Sequence, residues 1–249
     1  MHPPHFTALQ WALALLAALF IGLSKTGFNG MGMLALLLMA HLFSARESTG
    51  VILPLLVAGD VVGVTAFQRH AQWRYIGRLL PAALAGIAVG YWLMAVTPDR
   101  VFRPVIGGIV LTLSLLQLLR QGRPDAFRKV PHALWFGWAI GATGGVTTML
   151  ANAAGPIIGL YLLAVRLPKL EFVGTGAWFF LIVNVCKLPL SADLGLISPT
   201  SLALNLILLP AVIAGALAGR RLVHLIPQRS FEGVILALTM VAALRLCFV

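Results

Sequence analysis

The chain has 249 residues, of which 60% belong to the hydrophobic set and only 10% are charged, and 18 Lys and Arg against seven acidic residues give a formal charge of +11. Soluble domains carry about 25% charged residues, and a nucleic-acid surface needs its Lys and Arg clustered on a wettable face. Here the basic residues are thin punctuation between apolar runs. That excludes a soluble enzyme, a nucleic-acid binder and a disordered tail, and leaves an all-α polytopic membrane protein.

A spanning helix needs about 20 predominantly apolar residues. In chain order, Phe6 to Leu23 is apolar, Ser24 to Gly30 interrupts it, and Met31 to Phe43 is apolar again. The leading end has His2 and His5 but no Lys or Arg, so this stretch reads as retained sequence rather than as a secretory signal. Full spans follow at Ser48 to Phe67, Tyr75 to Val96 and Val101 to Leu119. After a basic loop, a second broken segment opens at His132 to Ile140, is interrupted over Gly141 to Pro156 and resumes through Val165. Spans at Val173 to Leu190, Leu202 to Leu222 and Phe231 to Phe248 complete the chain. Cys186 and Cys247 read as small buried hydrophobes.

The chain repeats itself. A shift of 129 residues aligns Leu79-Leu80-Pro81-Ala82 with Leu208-Leu209-Pro210-Ala211, and Gly86 and Gly90 with Gly215 and Gly219. The same shift pairs Pro98, Arg100 and Phe102 with Pro227, Arg229 and Phe231. Residues 1–119 are therefore expected to form an N-terminal transmembrane repeat, 120–131 a cytoplasmic basic linker, and 132–249 a C-terminal repeat. Each repeat is a broken segment followed by three spans.

If each broken segment returns to the side it entered from, the halves are inverted. The loops around Arg69/Arg74/Arg78, Arg120/Arg123/Arg128/Lys129, Arg166/Lys169 and Arg220/Arg221/Arg229 then share one side, which holds twelve basic residues. If the broken segments cross, the two sides come out nearly even. The positive-inside rule prefers the uneven arrangement, with those loops cytoplasmic.

Irregular backbone at membrane depth is tolerated only where protein buries it or where it lines a cavity. Paired breaks in the two halves of a repeat point to a transport site, and the helix N-termini at a break suit an anion. The first break offers Ser24, Lys25, Thr26, Gly27, Asn29 and Gly30; the second offers Thr143, Thr147, Thr148, Asn152, Gly155 and Pro156. For any single Ser or Thr, ordinary helix packing is an equal reading, and Lys25 could snorkel from a break near an interface. Asp60 lies inside a span and is a candidate to carry a coupling proton, to pair with Lys25, or to line a cation site; a neutral, hydrogen-bonded Asp at a helix contact is an equal reading. Asn184 and Lys187, three apart, share a face, with Lys187 approaching the cavity from its outer end or anchoring at the interface. The chain has no HExxH, no GxSxG elbow and no paired His spacing. No enzymatic activity, metal or cofactor is expected.

The run Gly22-Leu-Ser-Lys-Thr-Gly-Phe-Asn-Gly-Met-Gly32 resembles the first-half signature of the TauE/SafE sulfite-exporter family. Thr147-Thr-Met-Leu-Ala-Asn-Ala-Ala-Gly-Pro156, followed by Tyr161-Leu-Leu, is similar to the second-half signature. Phe172-Val-Gly-Thr175, Phe179-Phe180, Asn184 and Lys187-Leu-Pro189 extend the likeness over nearly the whole chain. Two positions depart from the family pattern: Ala154 stands in the usual Gly-Gly-Pro, and Leu190-Ser191 where an aromatic often follows Lys-Leu-Pro. The resemblance implies a multi-pass secondary transporter of sulfite, sulfonates or related organic acids, often outward. The expected protein is thus an exporter of a small anion in a bacterial inner membrane, with a proton or sodium ion as candidate co-ion and no assigned oligomeric state. A passive anion channel, or a carrier of another small organic acid, is the alternative.

Overall fold

The computed structural model describes residues 6–26, 31–122 and 134–222, together with 237, 240, 241 and 244. Its elements are the α-helices α1 (Ala8–Ser24), α2 (Met31–Leu42), α3 (Ala45–Phe67), α4 (Trp73–Val96), α5 (Asp99–Gly122), α6 (Leu134–Ala151), α7 (Gly155–Ala164), α8 (Lys169–Asp193) and α9 (Pro199–Leu222), with one 3-10 turn, Gln68–His70, between α3 and α4. Among the described residues, α3, α4, α5, α8 and α9 are long and apolar enough to cross a membrane. The expected span at Phe231 to Phe248, and most of the basic linker, lie outside the described residues.

Each described span starts two to four residues before its apolar run, and α5 and α8 also continue three residues beyond it. A capping box starts α1: the Thr7 side chain accepts from the Gln10 N–H, and the Gln10 side chain accepts from the Thr7 N–H. The second interruption is shorter than Gly141 to Pro156. Helix α6 runs straight through Gly141, Gly144 and Gly145 to Ala151, and only Asn152 to Ala154 break it. Asn152 takes a left-handed conformation there, with φ 48°, which Asn tolerates better than most residues.

Both broken segments are helical hairpins. Phe6 before α1 meets Phe43 after α2, ring centroids 5.8 Å apart, while at the other end Gly32 lies against Ser24. Likewise Phe136 near the start of α6 stacks on Tyr161 toward the end of α7 at 6.2 Å. Each hairpin therefore returns its chain to the side it came from. Helices α3 and α8 run antiparallel: Phe67 packs at Gly174, Gly63 at Ala177, and Asp60 bonds Asn184. These directions put the described residues Arg69, Arg166 and Arg220 at one end of the bundle and Arg46 at the other.

The tightest seams join each hairpin to a helix from the other half of the chain. Gly22 of α1 faces the Val212 carbonyl and the Ala216 N–H, and Gly215 of α9 faces the Leu19 carbonyl. On the other flank, Gly145 of α6 faces the Ala83 carbonyl and the Ile87 N–H, and Gly86 of α4 faces the Ala142 carbonyl. Adding 123 to the α1 numbers and 129 to the α4 numbers converts one set of contacts into the other, residue for residue. Glycine is required here because a side chain would meet backbone, and small residues let membrane helices approach so closely.

Gly145→Leu and Gly22→Leu should each cost at least about 1–3 kcal/mol of stability through overpacking, read as a fall in Tm of the detergent-purified protein. Gly77→Ala, at a position with open space around it, should leave Tm unchanged or raise it slightly. Single-cysteine probes replacing Thr7 and Ser44 should be labelled from the same side of the membrane. Labelling from opposite sides would contradict the hairpin.

Candidate functional site

Helix ends formed by the hairpin tips meet inside the bundle. There a partly open cavity of about 130 Å³ is lined from both tips, α3, α7 and α8. Water in the liquid takes about 30 Å³ per molecule, so this is room for a small solute. The N-terminal turn of α7, with Gly155 and Pro156, and that of α2, with Gly32 and Met33, contribute to the wall. Both present positive dipole ends and main-chain N–H groups without intrahelical partners.

Lys25, the residue after α1, reaches Asp60 of α3, Nζ to Oδ1 2.8 Å, with side-chain exposures of 13% and 1%. Its ammonium also lies 5.2 Å from the centroid of the Phe180 ring, an arrangement that stabilises a cation away from bulk water. Of the readings left open for Asp60, the structure contains the ion pair with Lys25. The other carboxylate oxygen of Asp60 accepts from the Asn184 amide at 2.7 Å. Asn184 in turn accepts from Lys187 at 3.4 Å, and Lys187 also donates to Thr148 Oγ1 at 3.2 Å and Asn152 Oδ1 at 2.5 Å. The Asn152 amide then donates to the Thr49 carbonyl at 2.8 Å, tying the second tip to α3. The result is one polar chain linking both hairpin tips through α3 and α8.

Ser24, Lys25, Asp60, Thr148, Asn152, Gly155, Pro156 and Asn184 all line the cavity. Ser24 donates its hydroxyl to the Ile21 carbonyl at 2.7 Å, so it offers the cavity an acceptor. Four expected site residues fall elsewhere. Thr26 is buried, donates to the Leu23 carbonyl and packs on Gly219, so it belongs to the α1–α9 seam. Thr143 and Thr147 lie within a helix rather than at a break. Thr147 donates to the Thr143 carbonyl, and both residues face a separate hollow beside α5, with Pro104 and Gly108. Lys187 is neither at an interface nor in the cavity wall: it is 1% exposed, directly behind Thr148, Asn152 and Asn184. Gly27, Asn29 and Gly30 lie outside the described residues. Cys186 is exposed on the outside of α8 rather than buried; lipid-facing positions suit an apolar thiol as well as core positions do.

Sequence reasoning did not assign the apolar half of the wall. Phe172, Val173, Gly176, Ala177 and Phe180 form one stripe along α8, in line with the expected Asn184. Their steps of one, three and four residues are the periodicity of a helix face, and projecting that span on a helical wheel would have revealed it. This stripe carries the cavity from Asp60 toward the basic end of the bundle. In the opposite direction the polar chain through Lys187 and Asn152 closes it, and beyond that Leu196 packs on Gly50.

Among the described residues no cluster of His, Cys, Asp or Glu has the composition of a metal site. The model of the family described as Sulfite exporter TauE/SafE matches residues 14–246. No curated protein and no solved structure matches the chain. With a family match over nearly its whole length, agreeing with helices that suit a membrane and a polar cavity between two broken segments, the chain belongs to the TauE/SafE sulfite exporter family.

Proposed function

We propose that the protein is a secondary carrier that exports a small oxyanion, sulfite or an organosulfonate first, across a bacterial inner membrane by alternating access. Membership of a family of membrane transporters for sulfite or related anions supports the substrate class. One observation carries the site assignment: Lys25, at the tip of a hairpin, holds its ammonium in the wall of a cavity that two helix N-termini also line. An ionisable group at such depth marks a transport path by default. An entering anion competes with Asp60 for Lys25, which makes Asp60 the candidate for coupling to a proton or sodium ion.

The inverted arrangement is supported by the hairpins, by the antiparallel course of α3 and α8, and by the exchange of contacts between the two seams. Under the positive-inside rule the basic end is cytoplasmic, so the stripe on α8 is the inner access path. A cavity closed at one end favours a carrier over a passive channel.

Liposomes containing the protein should show saturable flux of labelled sulfite or of a sulfonate such as taurine. Lys25→Ala should abolish that flux, whereas Asp60→Asn should leave flux that no longer responds to an imposed proton or sodium gradient. Unchanged transport in Lys25→Ala would remove Lys25 from the mechanism. Non-saturating conductance in planar bilayers would identify a channel instead.

A further inference from the structure

Lys187 is a buried lysine with no carboxylate of its own among the described residues. Its three ammonium hydrogens are met by Thr148, Asn152 and Asn184, all neutral acceptors. The nearby carboxylate, Asp60, gives one oxygen to Lys25 and the other to the Asn184 amide. Asn184 is thereby held in one orientation, donating to Asp60 and accepting from Lys187. No other ionisable side chain among the described residues lines the cavity, and residues 27–30 of the first tip carry none. With both lysines protonated and Asp60 ionised, two ammonium groups and one carboxylate among the described residues leave a single positive charge in excess.

A buried excess charge is unfavourable until a counter-charge joins it, because little water is present to screen it. One negative charge balances this site, and two overshoot it. Lys187 does not touch the cavity, so it acts as a positioning residue as well as a source of field. By occupying the acceptor side of Thr148 Oγ1, it leaves that hydroxyl hydrogen as a donor in the cavity wall.

We infer that Lys187 restricts the carried species to singly charged oxyanions, the hydrogensulfite or monosulfonate class, against dianions such as sulfate. This rests on the anion-carrier reading above and adds to it the charge state of the substrate. Methanesulfonate and sulfate probe it directly, because neither changes its charge near neutral pH.

Calorimetric titration of the purified protein in sodium-free buffer should show methanesulfonate binding at least about tenfold more tightly than sulfate. Asp60→Asn adds one positive charge and should shift the ratio toward sulfate by about tenfold or more. Lys187→Met removes one and should weaken both anions. The double variant D60N/K187M restores a single excess charge and should restore the preference for methanesulfonate, which a purely structural role for Lys187 does not predict. Equal binding of the two anions to the wild type, binding of neither, or a ratio unmoved in Asp60→Asn overturns the inference. Asp60→Asn decides alone if Lys187→Met is not recovered folded. Sulfite flux in liposomes without any charge preference sinks this inference and leaves the carrier reading standing. A charge preference without flux of any anion does the reverse.

Discussion

A helix that ends inside a bilayer leaves N–H and C=O groups with no water to receive them, and the architecture follows from meeting that demand twice. Each hairpin tip is buried between α3, α8 and a flanking helix that belongs to the other half of the chain. The flanking helices come within backbone contact because glycines line both seams. The polar chain from Lys25 through Asp60, Asn184 and Lys187 to Asn152 then ties the tips to each other. The same tip geometry that needs protein around it also leaves positive helix ends facing a shared cavity.

The two halves are alike in packing and unlike in chemistry. Under the offset that interconverts the hairpin contacts, Lys25 corresponds to Thr148 and Asn29 to Asn152. For α3 and α8, whose first residues are 124 apart, Asp60 corresponds to Asn184 and Gly63 to Lys187. Each half thus supplies one lysine, the first from its hairpin and the second from its long helix. Only the first half supplies a carboxylate. The hydrogen bond between Asp60 and Asn184 joins equivalent positions, so it lies where the two halves meet symmetrically, and there the symmetry of composition is broken.

Much of this was legible in the residues. The five described spans, both broken segments and the placing of Ser24, Lys25 and Asn152 beside one cavity follow from apolar run length and from polar residues in short breaks, and Asn184 from a polar face inside a span. What escaped was the function of glycine. Gly141 and Gly145 read as a break, yet they sit four apart in a helix, the same spacing as Gly86/Gly90 and Gly215/Gly219. That spacing marks a close helix contact rather than a turn. Once α6 is continuous, helical periodicity turns Thr143 and Thr147 away from Thr148, toward α5. The burial of Lys187 was hidden for a different reason: two of its three acceptors come from α6 and the second tip, and no local pattern reports a partner 35 or 39 residues away.

The seams have one more consequence. Because α1 is joined to α9 and α6 to α4 at backbone distance, the unit of sequence and the unit of mechanics do not coincide. Residues 8–122 cannot slide as a block past residues 134–222 without opening both glycine seams at once. The groups whose tight packing stays intact are mixed ones: the first hairpin with α9, and the second with α4. In the carrier proposed above, any rocking motion would therefore run between two interleaved bodies rather than between the two expected repeats.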